Sequence, residues 1–329
     1  MNTIEYNKFA LNMQLFNNTQ TTASSDLSVE MKTFYSDYLI DNAKPLLVHD
    51  QFGQKHPIPK NGGKTIEFRK YSPFAKALTP ITEGVTPDGH KLNVTNLTAT
   101  VAQYGDYVEL SDVLLLTAID NNLTEATALC GNQAGETLDT VTREVLVGGT
   151  NVMYSGGVSD RSALGADNKL TVDDFFKAAR FLKTQKAQKI DGYYVAIIHP
   201  DTAYDLMRSE DWVNAVQYAG STQLFEGEIG RIAGIRCVET TESKIFEKAG
   251  AGGKDVYATL VLGANAYGVT EVEGGGLQHI VKQLGSAGTA DPLNQRATVG
   301  WKAIKTAERL VEGYMIRIES CSTFDSGAN

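Results

Sequence analysis

The sequence predicts an α+β protein, and three observations carry that prediction. A single apolar stripe at helical spacing runs through about 25 residues between Leu123 and Val145, the mark of one long amphipathic helix. "YYVAIIHP", ending at Pro200, is a continuous apolar run of the kind that forms a strand covered on both faces, and helical patterns flank it. Alternating apolar residues mark further strands both before the long helix and towards the end of the chain.

Residues 1 to about 30 are polar and rich in Asn and Thr, with one apolar knot, "FALNMQLF". They read as an extended arm that orders only against something else. Met31, Phe34, Tyr35, Tyr38 and Leu39 then recur at the spacing of a short amphipathic helix. Ile66 and Phe68 alternate with Thr65, Glu67 and Arg69, and alternation returns in "LNVTNLTATVAQYGDYVEL". These are the legs of a long two-stranded hairpin whose broad tip holds "TPITEGVTPDGH". A lone hairpin is marginally stable in water, so the parent domain or a neighbouring molecule must cover it. From Phe52 to Leu92, seven Lys and Arg face three acids, a net +4 that leaves −13 on the remainder of a −9 chain. A basic projection on an acidic body invites head-to-tail docking between copies. A solvated loop kept soluble by its charges is the competing reading.

"SDVLLLTAI" opens a short helix with Ser111 as its cap. The long helix follows, its stripe made by Leu123, Ala126, Cys130, Ala134, Leu138, Val141 and Val145 over roughly 37 Å at 1.5 Å per residue. Gly131 and Gly135 weaken it in isolation and allow close packing, and "GGT" at 148–150 ends it. The middle of the chain reads as a separate α/β unit. Thr171 and Asp174, at capping-box spacing, open a helix whose stripe is Val172, Phe175, Phe176, Ala179 and Leu182. Lys183, Lys186 and Lys189 lie towards its C-terminal end, where the dipole favours cations. Pro200 and Asp201 open a further helix, "DTAYDLM". "GRIAGIRCVETTE" and "VYATLVLGANAYGVTEV" read as one strand each. Val299, Trp301 and Ala303 alternate near the end, as do Tyr314, Ile316 and Ile318.

With 42% hydrophobic and 21% charged residues in 329, the chain can bury a sizeable core and form two or three units. The −9 charge argues against a general nucleic-acid binder, which needs a basic surface to displace counterions. Cys130, Cys237 and Cys321 are far apart and form no CxxC pair, which argues against a zinc site or disulfide framework and fits a reducing compartment. Neither a signal peptide nor a membrane span is expected, because no basic segment precedes an apolar run and no run approaches ~18 apolar residues.

The search for chemistry finds no convergent site. The five histidines, His49, His56, His90, His199 and His279, show no spacing that would place two on one face as metal ligands. His199 is the best candidate catalyst, since it ends a buried strand and enters a helix. No nucleophile motif accompanies it, GxSxG is absent, and "YSGGVS" and "EGGGL" lack the P-loop pattern. Asp173 and Asp174 sit in a first helical turn, which the dipole explains. Glu271 and Glu273 share a strand face that could hold a cation but reads better as solvated. Cys130 reads as a packed core thiol. No catalytic, cofactor-binding or metal-ligating residues are expected, so function should reside in shape and contacts.

Several blocks resemble the major capsid proteins of tailed bacteriophages, and among them the family named after the coliphage enfour capsid protein. They are "MQLFN", "GKTIEFRKYSPF", "ITEGVTPDG", "VAQYGDYVELSD", "GEIGRIAGIRCVET" and "SAGTADPLNQRATVGWKAIKTAERL", in that order over nearly the whole chain. The resemblance implies the shell fold shared by tailed phages and herpesviruses. Residues 1–51 would be an N-terminal arm and short helix, and 52–108 an extended-loop hairpin over the adjacent subunit. Residues 109–155 and 265–329 would be a peripheral domain with a spine helix, and 156–264 an axial domain. Contacts between copies are expected at Lys64, Arg69, Lys70, Lys76, Glu83 and Asp88. In the same reading Asp291 and Pro292 fix a turn, Arg296 meets a carboxylate, and Trp301 buries its ring beside Gly300. The expected function is self-assembly, through pentamers and hexamers, into an icosahedral shell around double-stranded phage DNA. The expected partners are further copies, a portal, and scaffolding or decoration proteins, with DNA contacted non-specifically at most and no membrane. The expected location is the virion, assembled in the host cytoplasm. The alternatives are the shell subunit of a cellular nanocompartment and an α/β enzyme with a site near His199.

Overall fold

The computed structural model describes residues 39, 40, 43, 47–59, 63–71, 74–80, 83, 84, 86, 89–117, 122–212, 228–271, 275–286, 288 and 291–327. The expected arm, and the expected short helix as far as Tyr38, lie outside the described residues. Leu39, Ile40 and Ala43 are helical, with Leu39 fully buried.

Strands β1 (Gln54–Lys55), β2 (Thr65–Tyr71), β3 (Val94–Thr100) and β4 (Ala102–Ser111) precede helices α1 (Asp112–Thr117) and α2 (Asn122–Val147). Then come β5 (Val152–Tyr154), α3 (Val172–Thr184), β6 (Tyr194–Ile198) and α4 (Pro200–Met207). The rest is strand: β7 (Glu228–Ile232), β8 (Ile235–Glu239), β9 (Ile245–Phe246), β10 (Val256–Leu262), β11 (Tyr267–Glu271), β12 (Gln278–Lys282), β13 (Arg296–Arg309) and β14 (Met315–Ser320). Helix starts follow local chemistry. Ser111 Oγ accepts from Leu114 N (3.2 Å) at α1. At α3, Thr171 and Asp174 form a full capping box, with Asp in the position Glu usually takes.

Two sheets organise these elements. In the five-stranded sheet β13 is the pivot: β11, β12 and β4 all pair with it, and β1 joins β11. Val299, Trp301 and Ala303 on β13 pack against Ala126, Cys130, Ala134 and Leu138 of α2 and against Leu39. A 26-residue helix, roughly 39 Å long, lies here along a 14-residue strand of roughly 46 Å, so one element stiffens the other. The seven-stranded sheet has the order β5-β14-β10-β6-β8-β7, with β9 on β10. Every residue of β6, β10 and β14 is buried because both faces are covered. Phe175, Ala179 and Leu182 of α3 and Ala203 and Leu206 of α4 cover one face. Leu146 and Val147 of α2, with Tyr267 and Val269 of β11, cover the other.

The structure departs from the sequence reading at several places; Phe176, expected on the buried stripe of α3, is exposed. "GRIAGIRCVETTE" is a hairpin, β7 and β8, turned at Ala233 (φ 54°) and Gly234 (φ 80°), and "VYATLVLGANAYGVTEV" is two strands that part at Asn265 (φ 60°) into different sheets. Positive φ at consecutive residues reverses a chain that hydropathy alone reads as continuous. The return leg of the projecting hairpin also divides. β3 pairs with β2 from Val94 to Thr100, whereas β4 pairs with β13 along all ten of its residues. Finally, β14, assigned above to the peripheral domain, pairs with β10 in the sheet of the α/β unit, and β5, assigned with it, pairs with β14 at the edge of that sheet.

Candidate functional site

The β2–β3 hairpin is anchored at its root and open beyond it. Phe68, almost fully buried, meets the His56 ring edge to face (centroids 5.4 Å apart) and lies against Gly268 and Leu310. Further out, Phe74, Leu78 and Leu92 are exposed, Leu78 at 82%. Lys64, Arg69, Lys76 and Glu83 are exposed and form no ion pair with another described residue. Lys70 lies on β2, and Asp88 lies outside the described residues. These charges do not converge on a pocket. Arg69 alone among them lines a groove of about 370 Å³ at the hairpin root, with Ile66, Phe68, Leu97 and Leu310. Helix α1 is similarly open: none of its residues is buried, and Leu116 is 82% exposed.

Asp291 to Trp301 is a framework for joining strands. The Asp291 carboxylate accepts from Arg296 N (2.8 Å) and its carbonyl from Asn294 N (3.1 Å), closing the turn that leads into β13. Pro292 is exposed on that turn. Arg296 Nη1 lies 3.1 Å from Glu109 Oε1 on β4. A side chain at Gly300 would run into Tyr107 Cβ (2.7 Å) and the Asp106 carbonyl (2.8 Å), so glycine lets β4 approach. Trp301 is 4% exposed and its Nε1 donates to Gln133 on α2 (3.1 Å); Gln133 in turn donates to Asp106 (2.7 Å).

A buried polar junction escaped the sequence reading. Beyond Leu138 the buried face of α2 carries Asp139, Thr142, Arg143 and Leu146, while the expected Val141 and Val145 are half-buried. Asp139 receives the backbone N–H of His49 (2.7 Å) and lies 2.6 Å from His49 Nδ1, both side chains being fully buried. Thr142 donates to Asp50 (2.5 Å), and Lys305 from β13 donates to Asp50 and to the Leu138 carbonyl (3.0 Å). The Tyr267 hydroxyl donates to the His49 carbonyl. Arg143 donates to the Glu242 carbonyl (2.8 Å). These bonds tie the segment at His49 and Asp50, which leads into the hairpin, to the long helix, to the neighbouring strands β11 and β13, and to a loop of the α/β unit. The signal available in the sequence was two charges four apart, Asp139 and Arg143, on an otherwise apolar face.

His199 is accounted for structurally. Its Nδ1 accepts from Asp201 N (3.2 Å) as the N-cap of α4, and its ring packs against Tyr257 at 5.1 Å. Burial, opposed by Asp201, holds the imidazole below its ordinary pKa. A ring nitrogen engaged as a helix cap is poorly placed to act as a base. Cys130 is packed as expected, its thiol pKa pushed up by burial. Glu273 lies outside the described residues.

The chain's last described residues strap across α4. Asp205 accepts from Thr323 N (2.7 Å) and Ser322 Oγ (2.8 Å), Asp201 from Ser326 Oγ (2.5 Å), and Asp325 pairs with Lys254 (2.5 Å). Burial pushes the Asp205 carboxyl up, but the bonds from Thr323 and Ser322, with Lys169 nearby, outweigh it and hold the group below its ordinary 3.8. A carboxyl depressed in the folded state contributes stability fully above its ordinary pKa and loses it progressively as pH falls from there through the lower folded-state pKa. Hydrogen exchange at 321–327 is therefore expected to accelerate, relative to β10, as pH drops below 3.8. Equal protection at pH 3 and pH 6, after correction for intrinsic rates, would contradict this.

The description "Phage capsid protein" belongs to the family model that matches residues 95–309, about two thirds of the chain. The chain belongs to the phage capsid protein family. Solved shells agree with this capsid chain in fold. The capsid of cyanophage P-SCSP1u superposes with a TM-score of 0.66 at 15% identity, over 84% of this chain and 89% of that one. The capsid of Ralstonia phage GP4 gives 0.66 at 15%, over 85% and 90%. The cyanophage Pam1 capsid gives 0.66 at 16%, over 84% and 90%. Among curated protein sequences none matches significantly. The architecture is thus the α+β capsid fold of tailed phages, and the capsid chain is a shell protein.

Proposed function

We propose that this major capsid protein assembles through pentamers and hexamers into an icosahedral shell around double-stranded phage DNA. The observation that carries this, beyond family membership, is the β2–β3 hairpin, on which Leu78 and Leu92 are left exposed and Lys64, Arg69 and Lys76 form no ion pair with a described residue. A neighbouring copy supplies their counterpart, and repeated weak contacts add up across a shell. Membership of the enfour-type branch, the arm at 1–51 and the hairpin at 52–108 belong to this reading. So do the peripheral domain at 109–155 and 265–329 and the axial domain at 156–264, apart from β5 and β14. Portal, scaffolding and decoration proteins are its further partners, the host cytoplasm its place of assembly and the virion its destination. The role is structural, without catalysis. The nanocompartment alternative is less favoured, because the family match is to phage capsids.

Negative-stain electron microscopy beside size-exclusion chromatography tests this. Hollow particles or rings of five or six are expected; a protein that stays monomeric even with a scaffold would overturn it. Reversing Arg69, Lys70 and Lys76 to Glu is expected to cut the assembled fraction at least about tenfold at moderate salt. At the exposed Arg69 and Lys76, the change should shift folding stability by no more than about 0.5 kcal/mol each. Normal assembly of that variant would remove the hairpin from the contact.

A further inference from the structure

The α/β unit is electrically polar along its strands. β6, β8 and β14 run one way in the seven-stranded sheet, and β7 and β10 the other. Where β6 and β8 begin lie the last turn of α3 and the loop after it, with Lys183, Lys186 and Lys189 all exposed. Lys189 reaches the β7–β8 turn at Gly234, and Arg231 from β7 stacks over Tyr193 (4.6 Å). Lys183 and Lys186 form no ion pair with a described residue, and Lys189 has only the Tyr194 ring, 5.9 Å away. Among the described acids near this end, Asp191 is exposed and Glu312 is engaged by Arg309 (2.6 Å). The helix dipole explains Lys183 in the last turn of α3; Lys186 and Lys189 lie beyond it.

The opposite end of the sheet is acidic. Glu239 closes β8, Asp167 lies beside the bridge of Lys169 to Cys321, and Asp160 adjoins the Arg161–Glu319 pair. All three are exposed and form no ion pair with a described residue. Their neighbours are already paired, as in Lys169–Asp205 (3.3 Å) and Lys254–Asp325 (2.5 Å). Five residues of β8 span roughly 17 Å, about twice the Debye length at physiological salt, so the two free sets cannot neutralise each other within one chain.

We propose that Lys183, Lys186 and Lys189 of one copy dock on the Asp160, Asp167 and Glu239 face of a second copy, a head-to-tail contact within the capsomer. This rests on the self-assembly reading above. A ring closes through such a contact when every copy carries both halves on different surfaces, which the two sheet ends supply. An acidic partner of protein rather than phosphate is favoured because the chain as a whole is −9 and repels a polyanion.

Three variants test it: K183E/K186E/K189E, D167K/E239K, and a chain carrying both sets. Asp160 is left in place because it caps the turn at Ser162 (2.8 Å). Sedimentation velocity at about 0.15 M salt reads assembly, with thermal melting as the fold control. Each single-end set is expected to lower the assembled fraction at least about tenfold. Mixing the two variants, or joining both sets in one chain, should restore it. The mixture should make six-membered but not five-membered rings, since alternation closes only around an even number. Parental assembly by the lysine variant would overturn the proposal, as would a loss that neither mixing nor the joined sets restore. Binding of a short DNA duplex by the parent, abolished by the lysine variant, would reassign the patch to phosphate and also overturn it. In these cases the parent still assembles, so self-assembly stands; a parent that never assembles removes both.

Discussion

Trp301→Ala is expected to destabilise the folded chain by about 3–5 kcal/mol, the range for truncating a packed aromatic side chain. The residue is 4% exposed and sits where β13, β4 and α2 meet. Its loss leaves a cavity between sheet and helix that neither can close, because β13 is held along its length by β4, β12 and β11. It also removes the donor to Gln133, which holds Asp106 on β4 (2.7 Å). Trp301→Phe separates these contributions. It keeps most of the ring and gives up the Nε1 bond, so the expected cost includes about 1 kcal/mol for that bond and remains smaller than that of alanine. Urea unfolding of the unassembled subunit measures both. Equal, small losses would mean that the ring is not part of the framework joining sheet and helix.

What the sequence made legible here was local. The strand pattern of Val299, Trp301 and Ala303, the capping box at Thr171 and the stripe of α2 as far as Leu138 each depend on residues within a few positions of one another. The same holds for Ser111, whose hydroxyl reaches three residues ahead. The illegible parts depend on distant partners. Val101 gives no sign that the chain leaves one sheet for another, because both legs alternate and the choice of partner belongs to β13, some two hundred residues later. The face of α2 after Leu138 turns polar because His49, Asp50 and Glu242 arrive from 90 residues or more away, and hydropathy assigns Asp139 and Arg143 to solvent. β14 reads as an alternating strand, yet all six residues are buried, since α3 covers one face and α2 the other. His199 shows the limit for function as well. A histidine at a strand end suits a catalyst and a helix cap equally until its Nδ1 is seen to accept from Asp201.

Lys305→Met is expected to destabilise the chain by about 3–5 kcal/mol, the range for breaking a buried ion pair from one side. The Lys305 side chain is 2% exposed and its partner Asp50 14%, so removing the ammonium strands a carboxylate with only the Thr142 hydroxyl to hold it, and leaves the Leu138 carbonyl without this donor. The adjoining pair, His49 and Asp139, is fully buried and adds a second carboxylate close by, which raises the cost of an uncompensated negative charge. Asp50→Asn alone leaves the ammonium unpaired and should also destabilise. The double variant, Lys305→Met with Asp50→Asn, is expected to lose far less than the sum, because a buried pair replaced by neutral groups of similar volume is often near neutral in stability. A double-mutant cycle by urea unfolding measures the coupling. Additive losses would mean that Lys305 and Asp50 act independently, through packing and the Leu138 bond. Strong coupling would show that the junction is held by charge, and that the segment leading into the hairpin, the long helix and β13 are joined by an ion pair that no run of sequence around any one of them could have disclosed.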